Sequence, residues 1–460
     1  MANREEPDLL QLLTPQSPSP GHDYHLTDGA HVAVVGGGPA GSFVTYFVLD
    51  MARRIGLGLS VDLYELRDYN RPGPASCNHC GGIVSESLVQ LLAAEGIVLS
   101  SDVGQRGLDS YVLHMGVGEV RIDNALHEKR IAAAHRGAGP RGVVDPKWRS
   151  FDGYLQKLAV DHGANMIVDR VSKITLDDGH PRVETKGGSE RSYDLLVGAV
   201  GVNTNVPKQF EGLGIGYQAP TTTKTYICEL PLGEETVNRY LGNAMHVFLL
   251  DLPRLEFGAL IPKGEYVTVC MLGEQIDREL IDSFLHLPDV KACLPPQWEL
   301  PKVYCHCSPQ INIGAAYRTA KAAANTALFH GVSEADFRRH YQPVVKAIST
   351  DNGFGKIIFI ITGLMQKFYL GRRMLLRMVG HEQRAGRAPL MSTVMWDTFT
   401  GSAAYRENFF RGMRLPFLAS LARHTMAATV GIVIRRLARL VGKGDRTGRG
   451  DTWEREVVAK

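Results

Sequence analysis

Cysteine is scarce in this chain: seven residues among 460, beside four tryptophans and an aromatic share of 8%. So few thiols in so long a chain do not make a disulfide framework, and the N-terminal stretch has no basic start followed by a long apolar core. Together these absences lead us to expect a reducing compartment and a cytoplasmic protein without a signal peptide. Charge of one sign is also lacking. Lys+Arg 51 against Asp+Glu 48 leaves a formal charge of +3, which by itself decides nothing about nucleic acid. The arginines carry no recognition motif, so nucleic acid is not an expected partner. Long apolar runs are missing too, and none reaches the ~18 continuous residues of a spanning helix. Ile357 to Met365 is too short, and the later apolar stretch is broken by Arg423 and His424. There are no internal repeats, and low complexity is confined to a leader, expected to be disordered, and a charged tail.

What is present is organised around His31–Glu65. His-Val-Ala-Val-Val is a short β-branched run that reads as a buried strand. It runs into Gly36-x-Gly38-x-x-Gly41, including Pro39 and Ala40, and a helix is expected from Ala40 to Arg54. A second strand, Leu59 to Tyr64, ends at Glu65. Gly36 permits the tight turn, Gly38 lets the backbone approach a pyrophosphate, and Gly41 lets helix and strand pack closely. The helix start offers free N–H groups to phosphates. Glu65, ~20 residues on, can accept hydrogen bonds from a ribose. Strand, glycines, helix and acid together indicate a Rossmann-like dinucleotide-binding unit.

Further along, Ser85 to Glu95 reads as a helix capped by Ser85, and 109–136 as short antiparallel strands. A helix follows at Trp148–His162, then strands at 166–176, 182–185 and 193–200. Residues 222–273 are β-rich, a helix spans Glu274–Leu287, and from Gly314 a long helical pattern begins. Beyond Ser333 everything reads as helical. The expected fold class is α/β: a dinucleotide-binding domain, an inserted antiparallel-sheet substrate domain and a helical C-terminal region. The expected boundaries are a leader at 1–30, the nucleotide domain at 31–105 and 146–205, and the sheet domain at 106–145 and 206–304. A residual nucleotide-domain helix at 305–345, basic helices at 346–445 and a tail at 446–460 complete the chain.

The order of Gly36-Gly37-Gly38-Pro39-Ala40-Gly41, Glu65, Cys80-Gly81-Gly82, Arg149-x-x-Asp152-x-x-Leu155, Asp194–Ala199 and Ile261-Pro262-Lys263-Gly264 resembles the FAD-dependent geranylgeranyl reductase family. That family sits within the flavoprotein group that includes para-hydroxybenzoate hydroxylase. The resemblance runs from about His31 to His340. It implies FAD as cofactor, with Glu65 on the adenosine ribose and Arg149 near the phosphate or ribose. It also places the Cys80-Gly81-Gly82 loop beside the flavin ring, and the glycines Gly201 and Gly314 on later cofactor-contacting turns. Cys80 would be the catalytic side chain. The implied reaction saturates isolated double bonds of prenyl or other hydrophobic substrates, which needs a hydride at one carbon and a proton at the other. Gly212-x-Gly214-x-Gly216 has no preceding strand, so NAD(P)H would dock transiently as donor, and a ferredoxin is an equal candidate. A monooxygenase or halogenase on the same fold is the alternative enzyme, although the Trp-rich halogenase signature is absent. A non-catalytic nucleotide- or lipid-binding relative is the alternative outside enzymes.

Two features depart from the family pattern. Ala199-Val200-Gly201 stands where Ala-Asp-Gly is usual. Before Gly314 the family places a strand ending in Gly-Asp, whose carboxylate bonds the ribityl chain. Here Cys305-His306-Cys307-Ser308-Pro309-Gln310-Ile311-Asn312 runs straight into the helix. FAD binding is therefore expected to be impaired. Cys77-x-x-Cys80 and Cys305-x-Cys307 are either thiolates for a metal or iron–sulfur group, a redox pair, or small packing residues. Packing is the expectation for Cys77, Cys305 and Cys307, with no resident metal, and Cys80 stands apart because its loop matches the family. The arginine-rich helices after Gln366 are either a solvated face or an interfacial surface on an anionic membrane.

Overall fold

The computed structural model describes residues 24–73, 76–77, 81–123, 128–140, 143, 146–302, 304–311, 315–385 and 390–440. Cys80 and Gly314, two of the expected site residues, lie outside the described residues, as does the tail from 441. The chain is α/β and divides into two compact units that alternate along the sequence. The first gathers 1–80, 135–223 and 309–350; the second gathers 81–134, 224–308 and 351–460.

The first unit is built on a parallel sheet in the order Leu195–Gly198, His31–Val35, Ser60–Tyr64, Asn165–Ile167. His31–Val35 is an inner strand, and Val32, Ala33 and Val34 are fully buried. A strand covered on both faces reads as a continuous apolar run, which is why this one was legible. Helix Pro39–Arg54 follows it and packs on helix Ala316–Phe329. Tyr317 there sits edge-on to Phe43 and Phe47, with ring centres 5.5 and 5.3 Å apart. Helix Phe151–Asp161 starts at Ser150, whose hydroxyl accepts from the Gly153 N–H at 3.1 Å. A three-stranded antiparallel ribbon, Val171–Asp177, His180–Thr185 and Glu190–Ser192, completes the unit's strands. Among the described residues, none between Cys305 and Ala315 contributes to the parallel sheet.

The second unit is centred on a larger sheet. Its strands run Cys305–Cys307, Thr223–Pro231, Tyr266–Gly273, Leu255–Lys263, Ala244–Phe248, Ser110–His114, Glu119–Asp123. All neighbours pair antiparallel except Ala244–Phe248 with Ser110–His114. Alternation gives the sheet two apolar faces. Tyr111, Leu113, Val247 and Ile261 point to a core shared with Met378, Val379, Met395 and Trp396 of the C-terminal helices. Phe248, Leu260, Val269 and Met271 point to the opposite core, closed by Leu280, Phe284, Leu285 and Val290. The Cys305–Cys307 strand was not read from the sequence, because three residues are too few to show a period.

Helix Leu415–Leu440 corrects one expectation. Its stretch Leu415–Ile434 is long and apolar enough to cross a membrane on length and composition, with a mean hydropathy of 1.5, and only 17% of it is buried. Arg423 and His424 interrupt the run of letters, but a single arginine within a 20-residue helix does not cancel the apolar average.

Candidate functional site

The glycine turn lies at the C-terminal end of strand His31–Val35, the end of an open parallel sheet where ligands bind. Gly36 adopts φ +105°, and a Cβ there would lie 2.5 Å from the Ala199 carbonyl oxygen. A Cβ on Gly41 would fall 1.8 Å from the Gly36 oxygen. Both positions therefore need glycine for space, and Gly36 for conformation as well. Gly38 caps helix Pro39–Arg54 without any side-chain hydrogen bond. Proline has no N–H, and the Ser42 N–H already bonds the Gly38 carbonyl at 2.9 Å. The open donors of the first turn are thus the Ala40 and Gly41 amides, which with the helix dipole form an anion site.

Glu65 is not idle beside this turn. Its Oε2 accepts from the Gly37 N–H at 3.0 Å and the Tyr69 hydroxyl at 3.1 Å, and Oε1 accepts from the Arg67 N–H at 2.9 Å. A carboxylate has about four acceptor positions, so roughly one remains for a ribose hydroxyl. Ser42 Oγ and Gln156 Nε2 both donate to the Gly37 carbonyl at 3.1 Å. Burial and the Glu65 charge hold the Tyr69 phenol well above its ordinary pKa, so it remains a donor to Glu65. The loop is braced on both sides before any ligand arrives.

Arg149 is exposed, its guanidinium 5.8 Å from the centre of the Tyr154 ring. Asp152 of the same motif is fully buried and is held by Arg136, with Nη2–Oδ2 at 3.0 Å and a second bond from Nε to Oδ1. Arg136 was missed in the sequence because the partner lies outside the Arg-x-x-Asp spacing. Gly201 is exposed, with φ +65°.

The second unit contains Gly81 and Gly82. Gly82 has φ +76°, and a Cβ there would meet the Ala134 oxygen at 2.0 Å and Lys263 Nζ at 2.8 Å. Lys263 is 1% exposed and is paired with Glu229, Nζ to Oε1 3.1 Å. Thr268 Oγ1 donates to the same carboxylate, within 2.8 Å of Oε1 and 2.9 Å of Oε2. A buried cation paired with a carboxylate thus stands directly against the glycine loop. The sequence showed Lys263 only as part of a turn, since nothing in Ile-Pro-Lys-Gly indicates that the lysine faces inward.

Of the cysteines singled out above, Cys77 belongs to the first unit, and Cys305 and Cys307 to the edge strand of the second. The described cysteines form no disulfide with one another. A surface hollow lined by His31, Ser60, Asp62, Asn165, Arg191 and Tyr193 lies at the N-terminal end of the parallel strands. Asp62 there is already bonded by Arg191, Tyr193 and Asn165 at 2.6 to 2.8 Å, so it is a structural network at the wrong end of the sheet.

No known protein family and no curated protein matches the chain. Solved structures do. A flavoprotein/dehydrogenase from Cytophaga hutchinsonii superposes with a TM-score of 0.56 at 14% identity, covering 87% of this chain and all of that one (100%). The halogenase PltM gives 0.52 at 10% identity over 94% of each chain. PltM in complex with phloroglucinol and FAD gives 0.51 at 10% identity, covering 87% of this chain and 96% of that chain. At these identities the likeness shows the fold. It is a fold shared with flavoproteins, one of them solved in complex with FAD.

Proposed function

We propose that the chain is an FAD-dependent oxidoreductase that saturates carbon–carbon double bonds of a hydrophobic, prenyl-type substrate, in the manner of the geranylgeranyl reductases. The observation that carries this reading is the open helix start at Gly38–Gly41, braced by Glu65, on a flavoprotein fold. The Ala40 and Gly41 amides would hold the pyrophosphate, and the remaining acceptor position of Glu65 the adenosine ribose. Bound there, the flavin supplies the hydride. The chain itself must supply the proton for the second carbon. Cys80, which the resemblance places beside the flavin ring, would be the group that supplies it. NAD(P)H or a ferredoxin would provide the electrons.

A membrane-resident substrate also accounts for the C-terminal helices. Leu415, Met426, Val430 and Ile434 are exposed beside Arg414 and Arg423, which suits an interfacial helix on an anionic bilayer. The protein would then work from the cell interior at the membrane surface.

The test uses the full-length chain with added FAD, reduced anaerobically by dithionite and mixed with a geranylgeranyl chain. The expected result is reoxidation of the flavin and a mass gain of two hydrogens per saturated bond. Reoxidation only by oxygen, with an oxygenated product, would replace this reading with a monooxygenase. No visible flavin spectrum at any FAD concentration would remove the enzyme altogether.

A further inference from the structure

Within the second unit, three side chains that are far apart in sequence converge inside an apolar core. His114 ends strand Ser110–His114, His246 lies in the parallel neighbour Ala244–Phe248, and Cys293 follows helix Pro288–Lys291 on the covering layer. The strand register pairs His114 with Phe248, so His246 is its diagonal neighbour on the same face of the sheet. His114 Nε2 lies 2.9 Å from His246 Nδ1, and Cys293 Sγ lies 3.2 Å from that Nδ1 and 3.7 Å from Nε2. All three residues are buried, and the surrounding core contains Phe248, Leu250, Val290 and Leu294.

The contacts around the cluster decide which ring nitrogens face its centre. On the outer side of His114, Glu119 Oε2 lies 3.1 Å from Nδ1, although off the hydrogen-bond axis. A carboxylate there favours the Nδ1–H tautomer and leaves Nε2 as a bare lone pair. His246 Nδ1 is turned to the other two side chains, so two imidazole nitrogens face each other at 2.9 Å beside the Cys293 sulfur, whose thiol also has the Asp289 carbonyl within 3.4 Å. Two ring nitrogens and a sulfur held this close together in a buried core offer three ligand atoms to a single cation.

We propose that His114, His246 and Cys293 bind a divalent transition-metal ion of borderline softness, with zinc the best match, in a buried site of three protein ligands. Two neutral imidazoles and a thiolate are a ligand set that zinc takes. Glu119 supplies the outer carboxylate that orients a metal-bound histidine. The thiolate and Glu119 together also balance the charge of the ion. Around zinc at bond lengths of ~2.0–2.3 Å, tetrahedral ligand atoms stand ~3.4–3.6 Å apart. The present triangle accordingly opens by a few tenths of an ångström at the histidine pair. Binding replaces the S–H bond of Cys293 by a metal–sulfur bond and releases that proton to solvent. Without an ion, burial keeps the thiol protonated, pushed up to about 12, and holds His246 neutral, pushed down to about 3.

The site is enclosed, so the ion is loaded as the sheet folds, and the test refolds the full-length chain from denaturant with Zn2+, Co2+ or EDTA. The expected result is about one equivalent of metal per chain and a higher Tm with zinc than with EDTA. Cobalt should add a thiolate-to-metal charge-transfer band that Cys293→Ser abolishes and that Cys305→Ser/Cys307→Ser retains. His246→Leu should lose the metal and show one Tm in zinc and EDTA alike. Should the variants fail to fold, X-ray absorption of the zinc-loaded wild type reads the ligands directly, with two nitrogens and one sulfur from protein expected. Failure of the wild type to retain metal overturns the proposal. So does a cobalt band that survives Cys293→Ser, or a sulfur-free or sulfur-rich ligand shell.

Discussion

Gly38 and Arg136 illustrate what single residues do here. Gly38 is a matter of access: its backbone borders the open Ala40 and Gly41 amides, and a branched side chain there would stand where a pyrophosphate must lie. Gly38→Val should remove about two charge-assisted hydrogen bonds, ~3 kcal/mol, and weaken ADP binding roughly a hundredfold. Calorimetric titration of the folded variant with ADP checks this, and unchanged affinity would displace the site from this turn. Arg136 is a matter of stability: it pairs with Asp152, whose carboxylate is fully buried. Arg136→Leu removes this cation from a buried carboxylate, at a cost of about 3–5 kcal/mol. Urea unfolding should show that loss, while the exposed Arg149→Leu changes stability little. The glycines and Glu65 were legible because their spacing is local and the turn dictates it. Arg136, Lys263 and the His114–His246–Cys293 group were not, since each meets its partner through tertiary folding, across 16, 34 and up to 179 positions.

At the scale of elements, the long apolar or periodic segments were legible, whereas the short and edge-forming ones were not. Helix Pro39–Arg54 and strand Ser60–Tyr64 begin within one residue of expectation, and Ser85 and Ser150 cap their helices. Helix Glu274–Leu287 was read too long; it is Arg278–Leu285, because Asp277 caps it. Asp277 Oδ1 accepts from the Leu280 N–H at 2.9 Å, and Arg254 clasps both oxygens at 2.6 and 3.2 Å. Arg254 and the cap hold this carboxyl down at about 2. Since its folded value lies below the unfolded one, its stabilisation is present above pH ~4 and lost as pH falls through about 2. The helix places Leu280, Phe284 and Leu285 over the sheet, so its start matters to that core. Thermal melts at neutral pH should rank wild type above Asp277→Asn, which keeps a cap but no charge, and that above Asp277→Ala. The gap between wild type and Asp277→Asn should close at pH 2. A gap that persists there would mean the charge is not the source of the difference.

For the whole molecule, the decisive quantity is how firmly the flavin half of FAD is held compared with the adenosine half. In the proposed reading, the groups described at the glycine turn, from the Ala40 and Gly41 amides to Glu65, would serve the adenosine and pyrophosphate end. No described residue between Cys305 and Ala315 adds a strand to the parallel sheet, and the stretch 305–315 holds no aspartate for the part that the resemblance would give a Gly-Asp carboxylate on the ribityl chain. Strand Leu195–Gly198 ends the sheet half-exposed, with the Phe210 ring against Gly198, so close that a Cβ there would lie 2.5 Å from it. That ring covers one face of the strand's end, and the strand's outer edge has no partner among the described strands. Losing one charge-assisted bond costs ~1–3 kcal/mol, or about tenfold to a hundredfold in affinity. FAD should therefore bind only moderately better than ADP, dissociate during purification, and be displaced by ADP at comparable concentrations. Inserting a strand that ends in Gly-Asp between Asn312 and Ile313 should separate the two ligands, tightening FAD by roughly that factor and leaving ADP unchanged. Fluorescence titration of both proteins with both ligands decides it. A native chain that purifies with stoichiometric, non-exchanging FAD would mean that other groups hold the flavin end, and the insertion should then weaken binding instead of strengthening it.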